Sequence, residues 1–422
     1  MTRVVALCGF LGVGKTTTLQ HVLTQCPDDV SVGVVANDVA KVNIDAQLVK
    51  SVAEDAQGKL VSVQLENGCA CCTASDDLVE SIESLVANRE DGFDYIIVEA
   101  SGVAEAGQLR EVLSELPCDI LRGQDSQPFV ITVVDAYDFL DQCRSADMLR
   151  DRPDLVGDAA TTDAKRSVVD LLMEQVEHAD SVILNKIDRL EGAVTRLEKL
   201  QAIVSGLARD EAEVHTSEFG AIDLLDLVAA NAGGSSKAHN HCHADEICKH
   251  GSHCAHHHEK CNEGCARDHK SKYGISSFVF SSSRAFHGPT LAKTVLQPIA
   301  ALQRAEDVAF DRTFSRGGDD AEQKEVDRDQ ALAETADVEN PFCGVVRAKG
   351  FIWIDRQPSI KLYWSLAGKS FAVTPAGTWA DEGDESTDQR RQELVFVGIG
   401  LEAQRQRILD LLEAALVPVP AE

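Results

Sequence analysis

Gly9-Phe10-Leu11-Gly12-Val13-Gly14-Lys15-Thr16 follows directly on the apolar run Val4-Val5-Ala6-Leu7-Cys8 and precedes a helical pattern. The string satisfies G-x-x-x-x-G-K-[ST], and strand, loop, helix is the setting in which that motif cradles phosphate. Glycines let successive backbone N–H groups converge on an anion, and the helix N-terminus adds its positive end. Lys15 is expected to reach the β/γ-phosphates and Thr16 to ligate Mg²⁺, with Gly9, Gly12, Val13, Gly14 and Thr17 completing the nucleotide contacts.

Working outward, Ser181-Val182-Ile183-Leu184 reads as a buried strand that runs into Asn185-Lys186-Ile187-Asp188, an N-K-x-D signature. An ionised Asp188 carboxylate only accepts hydrogen bonds, so it can take both N1–H and the N2 amine of guanine, whereas adenine offers an acceptor at the first position. Asn185, Lys186 and Asp188 are therefore expected to form a base site that prefers GTP. Between the two motifs, Tyr95-Ile96-Ile97-Val98 ends in Glu99-Ala100-Ser101-Gly102. A carboxylate at a strand end followed by a glycine suits a Mg²⁺-proximal Glu99 and a Gly102 amide near the γ-phosphate. Val130 to Asp135 is another wholly apolar strand. Such strands alternating with helical patterns predict an α/β fold, a P-loop NTPase domain with a mostly parallel sheet.

Glu66-Asn67-Gly68-Cys69-Ala70-Cys71-Cys72-Thr73 places three cysteines within four residues. Three thiolates at that spacing can face one soft ion, with zinc or Cu(I) suited to such ligands, and leave a fourth position for exchange. A redox pair or three buried small hydrophobes are the alternatives, the disulfide being disfavoured in a reducing compartment.

Taken together, Gly9 to Leu19, the C-A-C-C of 69–72, the E-A-S-G of 99–102 and the N-K-I-D of 185–188 resemble, in order and spacing, the CobW-like metallochaperone GTPases, relatives of the urease and hydrogenase nickel-insertion GTPases. Asn37-Asp38 through Val42-Asn43-Ile44-Asp45 is similar to the switch segment of the family's low-zinc-response subgroup. Phe286-His287, Lys349 to Trp353 and Gln392 to Gly398 resemble that subgroup's C-terminal domain. The resemblance implies a GTPase whose nucleotide cycle is coupled to delivery of a divalent metal, zinc foremost, with Co²⁺ in relatives serving cobalamin synthesis. It carries Cys69, Cys71 and Cys72 over as transfer-site ligands, Gly12, Gly14, Lys15 and Thr16 as phosphate and Mg²⁺ contacts, and Asn185 and Asp188 as base contacts; Lys15, Thr16, Glu99 and Asp38 are the residues expected to serve catalysis. Ala100 and Asp38 depart from the family's commoner Ser/Thr and Glu, and the second leaves the catalytic share of the switch open.

Residues 239–269 hold nine of the thirteen histidines and five of the thirteen cysteines. His239, His241, Cys242, His243, Cys248, His250, His253, Cys254, His256, His257, His258, Cys261, Cys265 and His269 have too few large apolar companions to form a core, and they read as an auxiliary metal-binding tract. Gly233-Gly234-Ser235-Ser236 before it reads as a flexible linker. The expected plan is a GTPase domain at 1–232, the His/Cys linker at 233–272, and a smaller α+β C-terminal domain at 273–420 with an acidic insert near 305–340. In that last domain Ser276–Phe280 and Phe351–Ile354 read as strands, Thr290–Leu296 as a helix start and Glu402–Leu416 as a helix. His287 is expected to be a hydrogen-bonded loop residue rather than a ligand. Cys8, Cys26, Cys118, Cys143 and Cys343 are expected to be structural.

A formal charge of −29 argues against nucleic-acid binding, which needs a basic face. No apolar run reaches a membrane span and the first strand begins by residue 4, so a cytoplasmic protein is expected. The partners implied are GTP, a divalent metal, a metal-requiring client protein and, in the nucleotide-bound state, a second copy of the chain. Cobalt or nickel delivery, a metal buffer with a vestigial GTPase, and a metal-sensing regulatory GTPase are the competing readings.

Overall fold

The computed structural model describes residues 2–27, 29–36, 61–64, 75–87, 92–117, 120, 127–143, 145, 147–151, 166–190, 194–230, 274–304, 340–379 and 390–418. Seven strands form one sheet: β1 (Arg3–Cys8), β2 (Val32–Ala36), β3 (Val61–Gln64), β4 (Tyr95–Glu99), β5 (Phe129–Asp135), β6 (Ser181–Asn185) and β7 (Glu213–Thr216). Their order is β3-β2-β4-β1-β5-β6-β7, and every pairing is parallel. The mostly parallel sheet expected from the sequence is found, with only parallel pairings among the described residues. β1 lies at its centre, and the crossovers leave it on opposite sides, which opens a crevice at the strands' C-terminal ends.

Residues of β1 alternate between two cores. Val5 and Leu7 join Leu19, Val22 and Leu23 of α1 (Lys15–Gln25) together with Ile131, Val133 and Ile183. Val4, Ala6 and Cys8 join Leu78, Ile82 and Leu85 of α2 (Ser75–Ala87) and Leu113 of α3 (Ala106–Ser114). A strand covered on both faces must be largely apolar, which is why β1, β4, β5 and β6 are hydrophobic runs apart from their end residues and Thr132.

The second sheet is antiparallel, in the order β11-β10-β9-β12-β8, from β8 (Ile275–Ser282), β9 (Val345–Ile352), β10 (Ile360–Ala367), β11 (Ser370–Thr378) and β12 (Gln392–Ile399). Phe278, Phe280, Trp364, Leu394 and Phe396 pack on one face beneath Leu401, Ile408 and Leu412 of the helix Leu401–Ala414. Ile275, Val346, Ala367 and Ile399 belong instead to the core of the parallel-sheet unit, so the two sheets share an apolar junction. The helix expected from Thr290 begins at Gly288, because Pro289 occupies its first turn, where a missing N–H costs nothing. The strand read at Phe351–Ile354 is the end of β9, which stops at Ile352.

At the junction lies α4 (Val168–Glu177), in which Val168, Val169, Leu171, Leu172, Met173, Gln175 and Val176 are all buried. A helix this apolar on nearly all sides must be covered on nearly all sides.

Candidate functional site

The phosphate loop emerges from β1 and enters α1 at Lys15. Gly14 has φ 103, and a Cβ there would stand 2.5 Å from Asn185 Nδ2, so neither the backbone nor the space admits a side chain. The Lys15 ammonium, buried to 8% exposure, donates to the carbonyls of Gly9 at 2.8 Å and Phe10 at 3.0 Å. The Thr16 hydroxyl donates to Glu99 Oε1 at 2.6 Å. Glu99 ends β4, the neighbour of β1, and strand pairing opposite Leu7 delivers its carboxylate to the loop. Val13 lies buried within the loop, and Thr17 is exposed on the first turn of α1.

Asn185 ends β6 and is 2% exposed. Its Nδ2 donates to the Val13 carbonyl at 2.9 Å, and its Oδ1 accepts from the Gly220 N–H at 2.9 Å. One side chain thereby pins the phosphate loop to the 217–220 loop after β7. Lys186 follows at φ 63, in the left-handed region rare for a long side chain, and its ammonium lies 2.6 Å from Asp135 Oδ2. Asp135 Oδ1 also accepts from the backbone of Tyr137 and Asp138, at 2.9 and 3.2 Å. Asp188 Oδ1 is buried without a hydrogen-bond partner among the described residues. A buried carboxylate oxygen left open in this way costs free energy unless a donor arrives, and the N1–H and N2 amine of guanine are such donors.

The loop after β4 carries Ser101 and Gly102. A Cβ on Gly102 would stand 2.5 Å from Leu11 Cγ, so the loop packs directly against the phosphate loop. Gln175 of α4, 1% exposed, donates from Nε2 to the carbonyls of Ala104 at 2.9 Å and Gly102 at 3.4 Å. Glu174 accepts from the first two N–H groups of α3, Ala106 at 3.1 Å and Gly107 at 2.8 Å. A carboxylate at a helix N-terminus satisfies donors that the helix itself cannot and meets its positive end.

The residues thus fit a nucleotide with Mg²⁺. Gly12 stands at φ 71 beneath open space, Thr16 and Glu99 present the hard oxygen donors that Mg²⁺ takes, and Asp188 offers an open acceptor. Lys15, Thr16, Glu99, Gly102 and Asn185 are drawn together at the C-terminal ends of β1, β4 and β6. Asp38, the triplet Cys69, Cys71 and Cys72, and the whole tract of 239–269 lie outside the described residues. Among the described residues no group of three or more His, Cys, Asp or Glu could hold a metal ion. Cys8 is buried in the core, where burial first, and then the Glu174 carboxylate, push its thiol up to about 12 despite Lys15 and Arg110. His287 Nδ1 shares a 2.7 Å hydrogen bond with Thr290 Oγ1.

Gln175, Glu174, Asp135 and the 217–220 loop escape a reading of the sequence. Glu213-Val214-His215-Thr216 is half-buried throughout, so nothing marks it as a strand whose following turn, Ser217 to Gly220, meets Asn185. The contacts of Gln175 and Glu174 span about seventy residues and leave no local pattern.

A family profile described as "CobW/HypB/UreG, nucleotide-binding domain" matches residues 3–215, and one described as "Cobalamin synthesis protein cobW C-terminal domain" matches residues 321–416. The chain is similar to "Zinc-regulated GTPase metalloprotein activator 1" of Dictyostelium discoideum, 27% identical over 422 residues that cover 93% of this chain and 75% of the relative. It is similar also to "Zinc chaperone YjiA" of Escherichia coli, 28% identical over 414 residues that cover 96% of each. Among solved structures, Zn(II)-bound YjiA GTPase from E. coli aligns over 99% of both chains at 17% identity and a TM-score of 0.35.

Proposed function

The chain belongs to the CobW/HypB/UreG family, and from that premise we propose that it is a GTP-hydrolysing metallochaperone that binds zinc at Cys69, Cys71 and Cys72 and releases it to a client protein as the nucleotide turns over. The observation that carries the nucleotide half is the convergence of Lys15, the Thr16–Glu99 pair and the Asn185 clamp on one crevice, with the open Asp188 acceptor beside it. The metal half is supported by the thiolate triplet and by the two relatives named for zinc.

The residues divide the work. Asp188 takes the base, and Asn185 holds base loop and phosphate loop in one geometry. The glycine-rich backbone receives the phosphates, whose oxygens replace the carbonyls of Gly9 and Phe10 as acceptors for the Lys15 ammonium. The Thr16 hydroxyl, with Glu99 beside it, would hold Mg²⁺, which would supply charge neutralisation to the phosphates. The Gly102 amide contacts the γ-phosphate, and loss of that contact on hydrolysis frees the loop after β4. The 37–45 segment and the cysteine triplet fall between β2 and α2 in the chain, and β2 pairs with β4, the strand that carries this loop, which is the basis for coupling metal affinity to nucleotide state.

The test is the GTP hydrolysis rate at fixed Mg²⁺, with and without buffered Zn²⁺ or Co²⁺, beside a Cys71→Ser/Cys72→Ser variant. Stimulation by Zn²⁺ that the variant loses supports the proposal, and stimulation by Co²⁺ alone reassigns the cargo. Metal-blind turnover in both proteins contradicts it and favours a buffer built on the 239–269 tract.

A further inference from the structure

The helix α4 is tied at both ends of its function. On one side Gln175 holds the carbonyls of Gly102 and Ala104, while Glu174 holds the amides of Ala106 and Gly107. Thr132 of β5 donates to the Gln175 carbonyl at 2.6 Å, so this residue is fixed by its backbone and reaches the loop with its side chain. On another side the same helix meets the antiparallel sheet through charge. Arg347 of β9, 4% exposed, places Nη1 2.6 Å from Asp170 Oδ1 and Nε 2.8 Å from Glu177 Oε1. Lys349 stands 2.6 Å from Glu177 Oε2, and Ser365 of β10 hydrogen-bonds Asp170.

Asp170 and Glu177 are seven residues apart, two turns along one face of the helix. A single guanidinium that grips both fixes the helix along its axis and about it, because its donors form a rigid fork. Cohesion alone does not explain such a group. Ile275, Val346, Ala367 and Ile399 already make the junction apolar, and a buried ion pair adds little over well-packed hydrophobic residues of the same volume. What the fork adds is position, and the position of α4 is also the position of the loop after β4.

We propose that Arg347, from the antiparallel sheet, is a positioning residue for GTP hydrolysis: it sets the pose of α4, and α4 sets the Gly102 loop through Gln175 and Glu174. This deepens the GTPase reading above and rests on it. By reciprocity, a shift of the loop when the γ-phosphate leaves is felt at the sheet.

The experiment uses the full chain with Arg347→Lys, Gln175→Ala and the double variant. Arg347→Lys keeps the charge and loses the fork. It is expected to lower kcat about tenfold with KM for GTP and Kd for GDP within about twofold, since positioning is lost and ground-state binding is not. The double variant is expected to be no slower than Gln175→Ala alone, because both act through one element. Hydrogen exchange of the Ala106 and Gly107 amides is expected to quicken about tenfold in Arg347→Lys, a readout that needs no turnover. Wild-type kcat with wild-type exchange in Arg347→Lys overturns the proposal, as do losses that multiply in the double variant. Should Arg347→Lys fail to fold, the neutral set Asp170→Asn/Glu177→Gln/Arg347→Met removes the whole cluster, and wild-type kcat there is equally fatal. If the wild-type chain hydrolyses no GTP, the function proposed above fails, while the exchange experiment still decides whether Arg347 governs the loop.

Discussion

The hydroxyl of Thr16 donates to the carboxylate of Glu99 at 2.6 Å across 83 residues of sequence. It joins the phosphate loop after β1 to the end of the adjacent strand β4, where Mg²⁺ and the γ-phosphate would meet. Glu99→Gln keeps the shape and removes the charge. It is expected to lower kcat about 10²-fold with GDP affinity within about threefold, because the carboxylate would act through Mg²⁺ at the reacting phosphate rather than on the base. Single-turnover hydrolysis alongside nucleotide titration checks this, and a variant that loses binding and rate in equal measure would place Glu99 in nucleotide binding instead.

The proposed function assigns the choice of base to Asp188. Its Oδ1 is buried without a hydrogen-bond partner among the described residues. Asp188→Asn turns one acceptor into a donor, which suits xanthine, whose O2 replaces the guanine amine. GTP affinity is expected to fall about 10²-fold, the scale of two lost charge-assisted hydrogen bonds, while XTP affinity rises. Competition between the two nucleotides for the variant measures the switch.

Acid should open the junction between the sheets. Burial pushes the Glu177 carboxyl up, yet Arg347 and Lys349 together outweigh it and hold the group below its ordinary value of 4.5. The stabilisation is therefore present above pH 4.5 and is lost as pH falls through the lower folded value. Proteolysis or small-angle scattering over pH 6 to 3 should show the junction loosening below about pH 4.5, and Glu177→Gln should remove that step.

Alkali acts through the buried thiols. Burial pushes Cys8 and Cys143 from 9.0 up to about 12. The folded state keeps protons that the unfolded chain releases, so stability falls as pH rises from about 9 to about 12, at up to about 1.4 kcal/mol per pH unit for each thiol. Denaturant titrations at pH 8, 9.5 and 10.5 test the slope, and Cys8→Ala/Cys143→Ala should flatten it. A thiol reagent at pH 8 should leave both unlabelled in the native protein.

How much of this was legible in the sequence depended on how local the physics was. Val4–Cys8, Tyr95–Val98, Val130–Asp135 and Ser181–Leu184 announced the central strands because burial on both faces demands apolar residues throughout. Val32–Ala36 and Glu213–Thr216 did not, the first broken by Gly33 and the second sitting half-buried at the sheet edge. Phosphate loop and base motif are contiguous strings whose backbone geometry carries their chemistry, so they could be read directly. Asn185 as a clamp on Val13, Gln175 as a hand on Gly102 and Arg347 as a fork across Asp170 and Glu177 exist only after packing. No spacing rule joins residues 73 to 177 positions apart.

The most direct measurement of the central claim is zinc affinity in two nucleotide states, by competition with a chelator of known Kd, with Mg²⁺ and either a non-hydrolysable GTP analogue or GDP. The account predicts zinc bound at least about tenfold more tightly in the GTP-analogue state, a coupling of about 1.4 kcal/mol, with the difference abolished in Cys71→Ser/Cys72→Ser. Equal affinity in the two states would contradict it, since a site blind to the nucleotide cannot be emptied by hydrolysis.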